Sequence, residues 1–81
     1  MAMRKGGIRD EQRRVLRLLA RSSNGHTEAM LLAHGFTNEM LGRLVVDGLA
    51  TATPQIVHAG KWPLKVVRMR ITDAGRQALA E

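Results

Sequence analysis

The chain has 81 residues, enough for one small domain with a single core. Thirteen Lys and Arg against seven Asp and Glu leave a net charge of +6, which favours polyanionic partners, nucleic acid before anionic membrane, or else serves solubility. The absence of Cys excludes disulfides, thiolate zinc sites and cysteine nucleophiles, and only 2% aromatic residues means a core built from Leu, Val, Ile, Met and Ala.

No apolar run approaches the roughly 18 residues that cross a bilayer. The opening "MAMRKGG" is basic but is followed by no apolar signal core, so a cytoplasmic protein is expected. Residues 1–7 are expected to form a flexible basic arm and residues 8–81 the folded domain.

From Ile8 a helical period sets in. Ile8, Gln12, Val15, Leu16, Leu18 and Leu19 fall on one half of the helical wheel, and Arg9, Arg13, Arg14, Arg17 and Arg21 on the other. Asp10 and Glu11 open this helix and arginines close it, as the helix dipole prefers. The arginine stripe is a solvated face or a phosphate contact. "SSNG", residues 22–25, is a turn by composition. Thr27 then caps a short helix that Gly35 stops, and Phe36 is expected to plug the core. Thr37 caps the next helix, "NEMLGRLVVDG". Met40, Leu41, Leu44, Val45 and Leu49 make its expected buried side, and Glu39, Gly42, Arg43, Val46 and Asp47 its outer side, with Asn38 at the exposed start. Two short helices joined by a few residues, the second exposing one face, is helix-turn-helix spacing.

Beyond Leu49 the period changes. "ATATPQIVH" is rich in strand formers but holds Pro54, which predicts an edge strand, and "AGKWPL" predicts a turn or longer loop. "KVVRMRI" alternates, with Val67, Met69 and Ile71 on one side and Val66, Arg68 and Arg70 on the other. Thr72 caps a last short helix, with Ala74, Ala78 and Leu79 expected on its packed side. The predicted helices run near 9–21, 27–34, 37–48 and 73–80, and the hairpin from about 51 to 71. The class is therefore α+β and mostly helical.

Two segments carry a family resemblance. "T-x-x-x-L-x-x-L-V-x-x-G-L", here Thr37, Leu41, Leu44, Val45, Gly48 and Leu49, resembles the recognition helix and its exit in MarR-like winged-helix regulators. "ITDAGRQAL", residues 71–79, is similar to the strand end and helix start that follow the wing in the same families. The resemblance implies a winged helix-turn-helix domain over residues 8–81: a three-helix core, a β-hairpin wing and a short C-terminal helix. It implies a DNA-binding transcriptional regulator of bacterial type, not an enzyme, acting on double-stranded DNA. Larger MarR-like regulators dimerise through long additional helices, for which this sequence shows no counterpart, so at most a weak homodimer is expected, through the first or the last helix.

On that reading Thr37, Asn38, Glu39, Gly42 and Arg43 of the third helix face DNA. Arg43 to guanine, Asn38 to adenine and Glu39 to cytosine are chemically suitable base contacts. The wing would supply Lys61, Lys65, Arg68 and Arg70 for phosphates. Trp62, near its tip, would stack or wedge there, or else cover the core's edge or a partner surface.

His26, His34 and His58 have no carboxylate or Cys at ligand spacing and are expected as surface or cap residues, so no metal and no cofactor are expected. Ser22 and Ser23 have no base partner, and Gly6-Gly7 lacks the pattern of a phosphate loop. The alternative to DNA binding is a winged helix used as a protein-interaction or dimerisation module. The acidity of the third helix and the exposed Val46 favour it. Binding to an anionic membrane is disfavoured, because the arginine-rich helix also supplies the core.

Overall fold

The computed structural model describes residues 9–80, so the expected arm and the place of Ile8 in the core lie outside the described residues. Helix α1 (Asp10–Ala20) leads through a turn to a two-residue strand, β1 (His26–Thr27). Helices α2 (Glu28–Ala33) and α3 (Asn38–Val46) follow, then strands β2 (Ala50–Ala59) and β3 (Trp62–Ile71), and finally α4 (Asp73–Ala80). The three strands form one antiparallel sheet in the order β1-β3-β2. The class is α+β, as composition and periodicity predict.

The helices start and stop for local reasons. Thr27 and Thr37 each accept the third residue's amide through Oγ1, from Met30 at 3.2 Å and Met40 at 3.1 Å. Both helices then end on a glycine with positive φ, Gly35 at +96° and Gly48 at +77°. After each glycine the next amide reaches back to the last turn, Phe36 to the Leu31 carbonyl at 3.3 Å and Leu49 to Leu44 at 2.9 Å. This is the Schellman arrangement, and it turns the following apolar side chain inward. Phe36 and Leu49 accordingly pack on the core.

That core consists of Val15, Leu16 and Leu19 from α1, Leu31 from α2, Leu41 and Leu44 from α3, Ala50 from β2 and Met69 from β3. Two expectations fail. Val45 is exposed, because the narrow inward stripe of α3 is centred on Leu41 and Leu44. On α4 it is Gly75, not Ala74, that is buried. A Cβ at Gly75 would overlap the Leu49 carbonyl and the Ile71 side chain, so the helix meets the α3 exit with its backbone.

The segment between β2 and β3 is tighter than expected. Ala59 pairs with Trp62, leaving only Gly60 and Lys61 as the loop. Gly60 has φ +65° and Lys61 does not share the positive sign, the pattern of a two-residue type II′ turn. Ten residues on each side therefore pair without interruption, through Pro54, which β2 tolerates because it lies at the sheet's edge. The hairpin outgrows the helices, and the molecule measures 56 × 21 × 19 Å.

Candidate nucleic-acid interface

Pairing across β2 and β3 decides which side chains share a face, since cross-strand partners point the same way. Ala50 with Ile71 and Ala52 with Met69 lie on the side of the helices, and the same side continues outward as Pro54 with Val67, Ile56 with Lys65 and His58 with Pro63. The other side carries Thr51 with Arg70, Thr53 with Arg68, Gln55 with Val66, Val57 with Leu64 and Ala59 with Trp62. The inner face is thus apolar at its base and bears Lys65 and His58 further out. The outer face does the reverse, with Arg68 and Arg70 at its base and an uncharged apolar strip towards the turn.

The four cations expected to act together are divided by this register. Arg68 and Arg70 share the outer face, Lys65 lies on the opposite face, and Lys61 sits in the turn. Arg68 Nε donates to Gln55 Oε1 at 2.9 Å. Arg68 Nη1 and Arg70 Nε both donate to the Asn24 carbonyl, at 3.5 and 3.4 Å. These two arginines tie the 22–25 turn to the sheet, with Arg68 half-buried and Arg70 exposed. Asn24 and Gln55 are partners that sequence reading missed, because a carbonyl far away in sequence has no local signature. Strand β1 was missed for a similar reason, being two residues long and held only by Met69 and Arg68 of β3.

Trp62 is 75% exposed and does not cover the core's edge. Leu64 and Ile56 are exposed as well. Among the described residues, the segment from Gly48 to Thr72 contains Lys61, Lys65, Arg68 and Arg70 and no Asp or Glu.

On α3, Asn38, Glu39, Gly42 and Arg43 are exposed, and Thr37 spends its hydroxyl on the cap. Glu39 and Arg43 line a groove with Met40 and Asp47 on one wall and Arg9, Glu11 and Gln12 of the α1 start on the other. Gln12 spans it, accepting from the Arg9 amide at 3.2 Å and donating to Asp47 Oδ2 at 3.4 Å. Three carboxylates and two guanidiniums make this groove mixed in sign, unlike the hairpin. The arginine stripe of α1 is partly structural. Arg13 Nη1 donates to the Leu79 carbonyl at 3.4 Å, where α4 has unpaired carbonyls, and the Arg14 guanidinium stands 6.0 Å from the Phe36 ring centre.

Of the histidines, His58 is exposed and His34 ends α2, as expected. His26 departs from expectation: it lies half-buried in β1, and its Nδ1 is buried without a hydrogen-bond partner among the described residues. No helix of the described residues is long and apolar enough to cross a membrane. No family model, curated protein or solved structure matches the chain.

Proposed function

We propose that this protein is a winged-helix DNA-binding protein acting in transcription regulation, with α2 and α3 as the helix-turn-helix and the β2–β3 hairpin as the wing. The element order and the three-stranded sheet are compatible with that fold. The observation that carries the reading is electrostatic. The hairpin presents four cations and no carboxylate, two at its base and two on the part that runs out beyond the helices. Each phosphate neutralised by such a cation releases condensed counterions, which is the main source of affinity for duplex DNA. In the MarR-like arrangement α3 also presents Asn38, Glu39, Gly42 and Arg43 to the duplex, but the carboxylates of Glu39 and Asp47 around Arg43 let that surface add little affinity.

Fluorescence anisotropy with a labelled random duplex over a salt series tests this. Binding should weaken linearly in log–log form as salt rises. Lys61→Ala with Lys65→Ala, both at exposed positions, should flatten the slope by about 0.9 for each phosphate no longer neutralised, on all sequences alike. No binding at about 50 mM salt and about 10 µM protein would end the reading, since even non-specific complexes form in that range. A second reading, a protein-interaction module, is favoured by Val46, which is 81% exposed on α3 beside Asp47. Under it Val46→Asp abolishes partner capture while the fold survives.

A further inference from the structure

Towards its tip the hairpin exposes apolar side chains where the helices cannot reach them. Beyond Met69, the last buried residue of β3, the two strands run on for seven residues of β2, roughly 24 Å at the usual rise. A two-stranded ribbon without a covering layer is marginal in water. This one nevertheless places Val57, Leu64 and Trp62 together on its outer face, with Arg68 and Arg70 behind them and Lys61 ahead. The strip itself has no charge of either sign, and its surroundings are uniformly positive.

We propose that the ribbon itself enters the major groove of duplex DNA, with the Val57–Leu64–Trp62 face against the base edges, while α3 stands outside the groove. This rests on the DNA-binding reading above and changes which element reads. Charge complementarity selects the occupant: Arg68 and Arg70 on the strip's own face and Lys61 in the turn suit the phosphates that border a groove, with no carboxylate among them, whereas the α3 groove sets Glu11, Glu39 and Asp47 against only Arg9 and Arg43. Dimensions agree. The major groove, about 12 Å wide, admits a two-stranded ribbon, and the minor groove at about 6 Å does not without distortion. The apolar face finds its match in the thymine methyl groups, which project only into the major groove.

The only tryptophan of the chain is Trp62, and there is no tyrosine, so intrinsic fluorescence reports this one position. Acrylamide quenching of the full chain is measured alone, with a thymine-containing duplex, with the same duplex carrying uracil for thymine, and with anionic phosphatidylserine vesicles. The thymine duplex should shield Trp62 from acrylamide. The uracil duplex should bind about fourfold more weakly for each thymine methyl that the strip would otherwise cover. Trp62→Ala should weaken binding at least about fourfold, the loss of one apolar contact with a thymine methyl, with denaturation confirming an intact fold. Val46→Glu, at the centre of the α3 surface, should change affinity by no more than about threefold, since an exposed charge outside the groove is screened.

Tight duplex binding with Trp62 still quenchable, or with equal affinity for thymine and uracil, overturns the proposal and leaves DNA binding standing. So does a collapse of binding in Val46→Glu, which would put α3 in the groove. Shielding that rises with protein concentration without DNA would assign the strip to a second copy, and shielding by vesicles but not duplex would assign it to a lipid surface. Either result overturns the proposal. Absence of any duplex binding removes this proposal and the DNA-binding reading together.

Discussion

Thr72 and Gly75 illustrate how a familiar-looking stretch works as mechanics. Thr72 Oγ1 accepts from the Gly75 amide at 3.0 Å, capping α4, and donates to the Gly48 carbonyl at 2.7 Å. The Thr72 amide also donates to the Leu49 carbonyl at 3.0 Å. The "DGL" that ends α3 and the "TDAG" that begins α4 are thus two sides of one joint, though far apart in sequence. The two stretches fasten α3 to α4. Gly75→Ala should cost about 1–3 kcal/mol in urea denaturation, because its Cβ would overlap the Leu49 backbone, which cannot swing aside as a side chain can. Thr72→Val, which keeps the shape and removes both hydroxyl bonds, should cost about 1–2 kcal/mol. A neutral Gly75→Ala would show that α4 docks differently. Gly25 makes a similar close approach, with φ +74° and no room for a Cβ against the Met69 carbonyl.

At the scale of elements, α3 and the hairpin divide the work. Helix α3 is held by Leu41 and Leu44, and Leu44→Ala should cost about 2–5 kcal/mol, enough to unfold a marginal small domain. Val45→Ala, on the same helix but exposed, should stay within about 0.5 kcal/mol, and the pair of variants measured together fixes the inward face of α3. The hairpin is joined to the body only through its base. Replacing residues 55–66 by an Asn-Gly turn, so that the Pro54–Val67 pair closes a short hairpin, should therefore change the stability of the body by less than about 1 kcal/mol. The same replacement, which removes Lys61, Trp62 and Lys65, should weaken duplex binding at least as much as Trp62→Ala does and flatten its salt dependence. A body that unfolds on this shortening would mean that the distal ribbon supports the core.

For the molecule as a whole, shape and charge act together. A body built mainly of helices carries a cationic hairpin, and the exposed Arg14, Arg17 and Arg21 of α1 add a second basic surface. Salt dependence should accordingly be steep for a chain this small and should fall in the ribbon variants but not in Val46→Glu. A single copy offers a short footprint, and two copies on a two-fold site would double it. Light scattering should show a monomer at low micromolar concentration without DNA, and a tight dimer there would mean that an apolar surface outside the core is covered in solution.

Helix placement was legible from the sequence, and for a local reason. The threonine caps, the glycine stops and the 3.6-residue spacing of Leu and Val each act within a few residues, so α1 to α4 fall within two residues of where they are predicted. The alternation of "KVVRMRI" likewise assigns Met69 and Arg68 to opposite faces without knowledge of any partner strand. Decisions that depend on distant partners were not legible. Loop length at Gly60, the pairing of β1, the choice of Gly75 over Ala74 as the buried residue, and the capture of Arg68 and Arg70 by Asn24 all required the tertiary structure. So did the division of the basic cluster, since cross-strand register puts Lys65 on one face and the two arginines on the other. Composition declared a cationic chain, but only the packing of the sheet on the helices determined which face of the hairpin was used for the core and which was left to meet a partner.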